Sequence, residues 1–128
     1  MPSGFGQYVE KVGSNRIVRI KDDLKLMDDP EEMMMLIMQT LTDVELVPTV
    51  GNYYTFIYIA KTSNIEYDQH PLIACTDIQR WGFRGINFHW EKQRNYTWEE
   101  IPGQLHIVRK SEINDLRDIS YRLVKTSL

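Results

Sequence analysis

The chain has 128 residues, 42% of them hydrophobic and 26% charged, with a formal net charge of −3. That length and balance predict one domain around a single core and exclude wholesale disorder. The net charge excludes a generally basic, polyanion-seeking molecule.

The charge is uneven, however. Residues 1–47 carry 5 basic and 9 acidic side chains, and residues 48–128 carry 10 and 9. Within 80–94, Arg80, Arg84, Lys92 and Arg94 face only Glu91. Cys75 is the single cysteine and sits beside Leu72, Ile73 and Ala74. It predicts a buried, inert thiol and a reducing compartment. No basic segment followed by an apolar core marks a signal peptide, and the apolar run 33–38 is too short to span a bilayer. The expectation is a soluble protein without a membrane partner.

Residues 1–15 are polar and glycine-rich with isolated Phe5 and Tyr8, and read as an extended arm ahead of a single domain over 16–128. Residues 16–20 alternate as a short strand would. Asp29-Pro30-Glu31-Glu32 is a helix start: a capping aspartate, a proline at the first helical position, and two glutamates at the positive end of the dipole. The helix is expected from Pro30 to about Thr42. Its apolar residues Met33, Met34, Met35, Leu36, Ile37, Met38 and Leu41 exceed one core-facing stripe. Either the helix is buried on two sides, or a methionine-rich face meets a partner. On the second reading Met34, Met35 and Met38, with Phe5 and Tyr8 of the arm, are the partner-binding residues. Self-association and a different protein are equally allowed.

Residues 47–52 read as a turn and 53–60 as a strand covered on both faces. Pro71 opens the next strand, 72–78. Residues 83–90 form another, with Ile86, Phe88 and Trp90 expected on the inner face. Residues 91–95 are expected to be a charged loop and 96–98 a short strand. Ile101-Pro102-Gly103-Gln104 fits a type II turn. A strand at 105–109 precedes a short helix capped by Ser111, with Ile113, Leu116 and Ile119 on one face. Residues 121–124 fit either a strand or a tail. Close-spaced strands and turns predict an α+β fold: a small antiparallel β-barrel or meander, SH3-like, with one N-terminal helix and a short C-terminal helix.

No catalytic constellation stands out. His70, His89 and His106 lack close ligand spacing, and the spacing of Asp68 and His70 is a common chance pattern, so neither metal nor cofactor is expected. Asp77 with Glu91 and Lys92 suggests a nuclease only loosely, because Lys92 is adjacent to Glu91 and would face away from it. Gly82 reads as a turn residue and Gly85 as a close-packing or bulge position. The remaining chemistry is aromatic and cationic. Arg80, Trp81, Arg84, Lys92 and Arg94 interleave with Phe83, Trp90, Tyr96 and Trp98, as in surfaces that stack single-stranded nucleic acid. The competing reading makes those aromatics core and the cations its rim.

The segments Tyr67-Asp68-Gln69-His70-Pro71-Leu72-Ile73, Trp81 through Trp90, and Arg94-Asn95-Tyr96-Thr97-Trp98-Glu99-Glu100-Ile101 carry a resemblance. They resemble small proteins encoded by contractile-tailed phages of marine bacteria, particularly cyanophages. The resemblance covers about half the chain and brings no catalytic motif. It implies a viral origin and a virion role. The expectation is therefore a non-enzymatic structural protein, assembled in the host cytoplasm and packed into a head, neck, tail or baseplate beside other virion proteins or itself. The alternative is an accessory module binding single-stranded nucleic acid.

Overall fold

The computed structural model describes residues 14–128; Phe5 and Tyr8 lie outside the described residues. The fold is α+β. Among the described residues the helices are α1 (Lys21–Lys25), α2 (Pro30–Thr40) and α3 (Ile113–Asp118). The strands are β1 (Val44–Glu45), β2 (Tyr53–Thr55), β3 (Glu66–Asp68), β4 (Leu72–Ile78), β5 (Gly82–Asn87), β6 (Lys92–Thr97), β7 (Leu105–Val108) and β8 (Val124–Thr126). Six strands make one antiparallel sheet in the order β1-β7-β2-β4-β5-β6, and β3 pairs with β8 in a second. The large sheet is open: β1 and β6 are its edges and do not pair with each other.

Alternate residues of the middle strands serve two cores on opposite faces. The helices pack over Leu72 and Val108 through Leu24, Met33, Met34, Ile37 and Leu116, joined by Tyr121 beyond α3. On the other face Tyr54, Ile73, Cys75, Phe83 and Leu105 meet Phe56, Tyr58, Tyr67 and Tyr96. Edge-on ring contacts join that second group, Phe56 to Tyr96 at 5.3 Å and Tyr58 to Tyr96 at 5.1 Å. Burial holds the Cys75 thiol above its usual pKa, in keeping with an inert side chain.

Residues 16–20 are not a strand. Asn15 Oδ1 accepts from the Ile17 and Val18 amides at 2.9 and 3.2 Å, which starts a 3₁₀ turn over Ile17–Arg19. The turn leads into α1, a helix absent from the sequence reading, and buries Ile17 and Leu24 completely. Arg16 is drawn in as well. Its guanidinium grips the fully buried Glu112 at 2.9 and 3.0 Å, and its own amide donates to the same carboxylate at 2.7 Å. Removing one member of so buried a pair typically costs about 3–5 kcal/mol, so this clamp fixes the start of the domain to its last third. Glu112 also accepts from the Arg109 amide at 2.8 Å, at the start of the turn leading into α3, a position assigned to Ser111 from sequence. Ile113, Leu116 and Ile119 are all buried, as their spacing predicts.

Helix α2 begins as expected, with Asp29 Oδ1 accepting from the Glu31 amide at 3.0 Å, and ends two residues early. Met33, Met34, Ile37 and Leu41 form its buried stripe, while Leu36 and Met38 are half-buried beside it. Met35 alone on this helix is a large apolar side chain left exposed, at 57%. One face therefore absorbs most of the methionines. Met34 is a core residue, 1% exposed, and cannot serve a partner without unfolding.

Strand β2 stops at Thr55, five residues short of the expected end. Its ladder with β4 closes at Thr55–Leu72, and the next partner would be Pro71, which has no N–H to give. The chain then crosses to the aromatic core, donating from Tyr58 to the Gln69 carbonyl and from Ile59 to the Glu100 carbonyl. Strand β5 ends at Asn87, whose Oδ1 accepts from the His89 and Trp90 amides at 2.8 and 3.1 Å. That turn, with Glu91 at φ +55°, leads straight into edge strand β6, so residues 92–95 are strand where a charged loop was expected, and Trp98 leaves the strand for a 3₁₀ turn. It also inverts the face assignment. Phe83 is buried and Ile86 is 42% exposed, while Phe88 and Trp90 lie in the turn, half-buried. Gly82 is in the strand rather than a turn, where a Cβ would lie 1.9 Å from the Tyr96 carbonyl oxygen. Gly103 lacks the positive φ that a type II turn requires, so that assignment also fails. Of residues 121–124 only Val124 joins a strand, β8, while Tyr121 is buried in the helical core.

Chemical denaturation tests the inversion. Phe83→Ala should cost about 3–5 kcal/mol through lost burial and a cavity. Ile86→Ala should cost under about 1 kcal/mol. Equal losses would contradict the assignment.

Candidate functional site

The five cationic and aromatic residues singled out from sequence are divided between two places. Trp81 leads into β5, and Arg84 lies over its ring at 5.8 Å while pairing with Asp77 at 3.4 Å. Trp98, in the 3₁₀ turn Trp98–Glu100, donates from Nε1 to the Arg80 carbonyl at 2.9 Å. Lys61, Thr62, Arg80, Trp81, Thr97, Trp98 and Glu99 surround an open cleft of about 520 Å³ above Glu100. Glu100 is buried and accepts from Tyr58, from Thr97 at 2.6 Å and from the Lys61 amide at 2.6 Å. Burial alone would raise its pKa, but hydrogen bonds from Thr97, Tyr58 and the Lys61 and Thr62 amides outweigh it and hold the carboxyl below its ordinary range. The cleft therefore has a fixed carboxylate floor.

Lys92 and Arg94 are at the far end of the β5–β6 hairpin, over the Trp90 ring at 5.6 and 4.6 Å. Trp81 and Lys92 stand at opposite ends of the hairpin, roughly 17–20 Å apart along the strands, whereas Arg84 and Arg94 are one register position apart. Arg84 also faces away from Arg94, because Arg84 pairs with Asn95 and Gly85 with Arg94 in the register. The cations do not line one groove. Phe83 and Tyr96 are core, as the competing reading holds.

Beneath Trp90 is a buried polar knot that sequence reasoning did not assemble. Asp68 is 3% exposed and accepts from the His70 amide at 3.0 Å, and its other oxygen meets His89 Nδ1 and Asn87 Nδ2. Asn87 also donates to the Tyr96 hydroxyl at 3.2 Å, and the Tyr121 hydroxyl bonds Thr55 at 3.0 Å nearby in the chain's other core. Among the described residues, both ring nitrogens of His70 and Nε2 of His89 have no hydrogen-bond partner. No group of three His, Cys, Asp or Glu side chains there is placed to hold a metal. Asp77 is tied to Arg84 and Gln79, away from Glu91, which pairs with Arg117. His106 bonds the Leu41 carbonyl at 2.7 Å.

A further feature straddles edge strand β1 and the turn read from sequence at residues 47–52. Val44, Leu46, Val47 and Val50 are exposed at 36, 74, 56 and 55%, along and just after edge strand β1. The signal was available: four large apolar residues in seven exceed what a turn needs. No helix among the described residues is long and apolar enough to cross a membrane. Comparison with known proteins brings no matching family model, no matching curated protein and no matching solved structure.

The knot has a pH consequence. Burial holds the His70 pKa below the ordinary 6.5, against opposing pulls from Asp68 and Glu31; Lys125 and His89 act in the same direction as burial. The unfolded chain therefore binds the extra proton first. The contribution to stability is complete above about pH 6.5 and is lost as pH falls toward the folded-state value. Urea unfolding between pH 7.5 and 5 should show this loss, and His70→Leu should flatten it. An unchanged slope in the variant would count against the assignment.

Proposed function

We propose that this protein is a non-enzymatic structural component that packs into a virion assembly of a contractile-tailed phage. The single observation behind the reading is the exposed apolar strip Val44, Leu46, Val47 and Val50 at an open sheet edge. Exposed contiguous apolar surface on a small domain marks a contact made with another chain. An open edge adds unpaired backbone groups to the same place. The viral setting rests on the resemblance of residues 67–73, 81–90 and 94–101 to cyanophage proteins. As part of the same reading, the antiparallel sheet is an SH3-like barrel opened between β1 and β6. Met35 belongs to the contact surface by its exposure, and Met38 lies at its margin.

Mass spectrometry of purified particles tests this. The protein should be present at a fixed copy number, and Leu46→Asp with Val50→Asp should fold but fail to incorporate. Abundance in infected cells with absence from particles would contradict the proposal.

A second reading has its own observation: the cleft where Trp81, 39% exposed, and Trp98 lie beside Lys61 and Arg80. Paired indoles with cations suit single-stranded nucleic acid. On this reading an Arg80→Ala, Trp81→Ala variant should lose binding to a single-stranded oligonucleotide at low salt. No binding by the unmodified protein removes the reading.

A further inference from the structure

We propose that copies of this chain associate head to tail, edge β1 of one against edge β6 of the next, continuing the antiparallel sheet. The inference rests on the reading of the protein as an assembly component and names its partner as a second copy.

Three observations converge on it. First, both edges are open. Among the described residues no backbone hydrogen bond joins the outer side of β1 or of β6 to another segment. The large sheet has six strands, each antiparallel to its neighbours, so its two edges run in opposite directions. A second sheet set alongside in the same orientation therefore continues the antiparallel alternation without inversion.

Second, the edges carry opposite charge at matching spacing. Asp43 and Glu45 are two residues apart along the β1 edge, and Lys92 and Arg94 are two apart on β6. An antiparallel register that sets Glu45 against Lys92 also sets Asp43 against Arg94, with Val44 against Gln93 between them.

Third, the faces agree. Glu45 pairs with Leu105, which belongs to the aromatic core. Lys92 pairs with Asn87 and Arg94 with Gly85, on the same face of β5 as Phe83 of that core. Both carboxylates and both cations would thus project from one side of the continued sheet.

Charged side chains on an edge strand ordinarily guard it against pairing. Here the guard discriminates. Two β1 edges together oppose carboxylates to carboxylates, and two β6 edges oppose cations to cations, so only the unlike pair is favoured. The groups are held loosely at present. Asp43 meets Arg16 at 3.4 Å with over half its side chain exposed, and Glu45 accepts from the Thr49 hydroxyl at 3.2 Å. Lys92 and Arg94 rest on the exposed side of Trp90, and Arg94 reaches the Glu66 carbonyl at 3.4 Å. The apolar strip beside β1 adds buried area to the contact. Such a contact is heterologous, closing into a ring or running on as a filament.

Sedimentation velocity on the full chain tests this. Mass should rise with concentration at low salt, and the apparent dissociation constant should weaken about tenfold or more in high salt. The pair Asp43→Lys and Glu45→Lys makes both edges basic; the pair Lys92→Glu and Arg94→Glu makes both acidic. Each variant alone should be monomeric, and mixing the two should restore association. The chain carrying all four changes should also associate, which separates a charge effect from misfolding. A monomer up to about 1 mM, or association indifferent to these changes, overturns the proposal. Monomers that still enter particles would overturn it while leaving the assembly reading intact; oligomers absent from particles would do the reverse.

Discussion

The structure depends on the middle of its sheet being covered on both faces. Leu72 enters one core and its neighbour Ile73 the other, each without exposure, and Tyr54 and Val108 divide in the same way. Met33 and Met34 of α2 enter the first, and Tyr54, Phe56, Tyr58, Tyr67, Phe83 and Tyr96 the other. With both faces of β7, β2 and β4 occupied by the chain's own side chains, what remains for a partner is the rim. The rim is where the open edges, the apolar strip and the indole cleft are found.

Two buried polar devices make this arrangement specific. The Arg16–Glu112 clamp joins the first described residues to the turn before α3, and without it a carboxylate would be stranded in the core. The Asp68 knot does similar work where β3 approaches the main sheet, holding Asn87, His89 and the His70 amide together. Asn87 there also ends β5, so one side chain sets both the hairpin turn and the packing beneath it. The unsatisfied His70 ring is the weak member, and its burial couples the fold to acid.

The legible parts of the sequence were those with a local physical cause. Asp29 and Pro30 placed the start of α2, the apolar run 72–75 placed β4, and the spacing of Ile113, Leu116 and Ile119 gave the buried face of α3. The misread parts were decided by distant partners. Residues 16–20 alternate like a strand, yet Asn15 and Glu112, far apart in the chain, turn them into a helical start. Residues 56–60 have strand composition, but Pro71 on the neighbouring strand ends the ladder. The period-2 reading of 83–90 was right in kind and wrong in phase, because it took the aromatic residues beyond Asn87 as the inner face. Of the candidate site, Trp81 and the β6 cations were visible, but their separation was not, since it depends on the β5–β6 register. The Asp68 knot draws on residues from 68 to 96, and nothing in a linear pattern assembles those.

On the head-to-tail proposal, the two open edges of the sheet recognise each other. Hydrogen–deuterium exchange on the full chain, followed as a function of protein concentration, reads both edges at once. The outward-facing amides of residues 43–46 and 92–95 should gain protection together as concentration rises and lose it together in high salt, while the cleft at Trp81 and Trp98 stays unchanged. Protection that is independent of concentration at both edges, or that grows at one edge alone, would rule out edge-to-edge pairing.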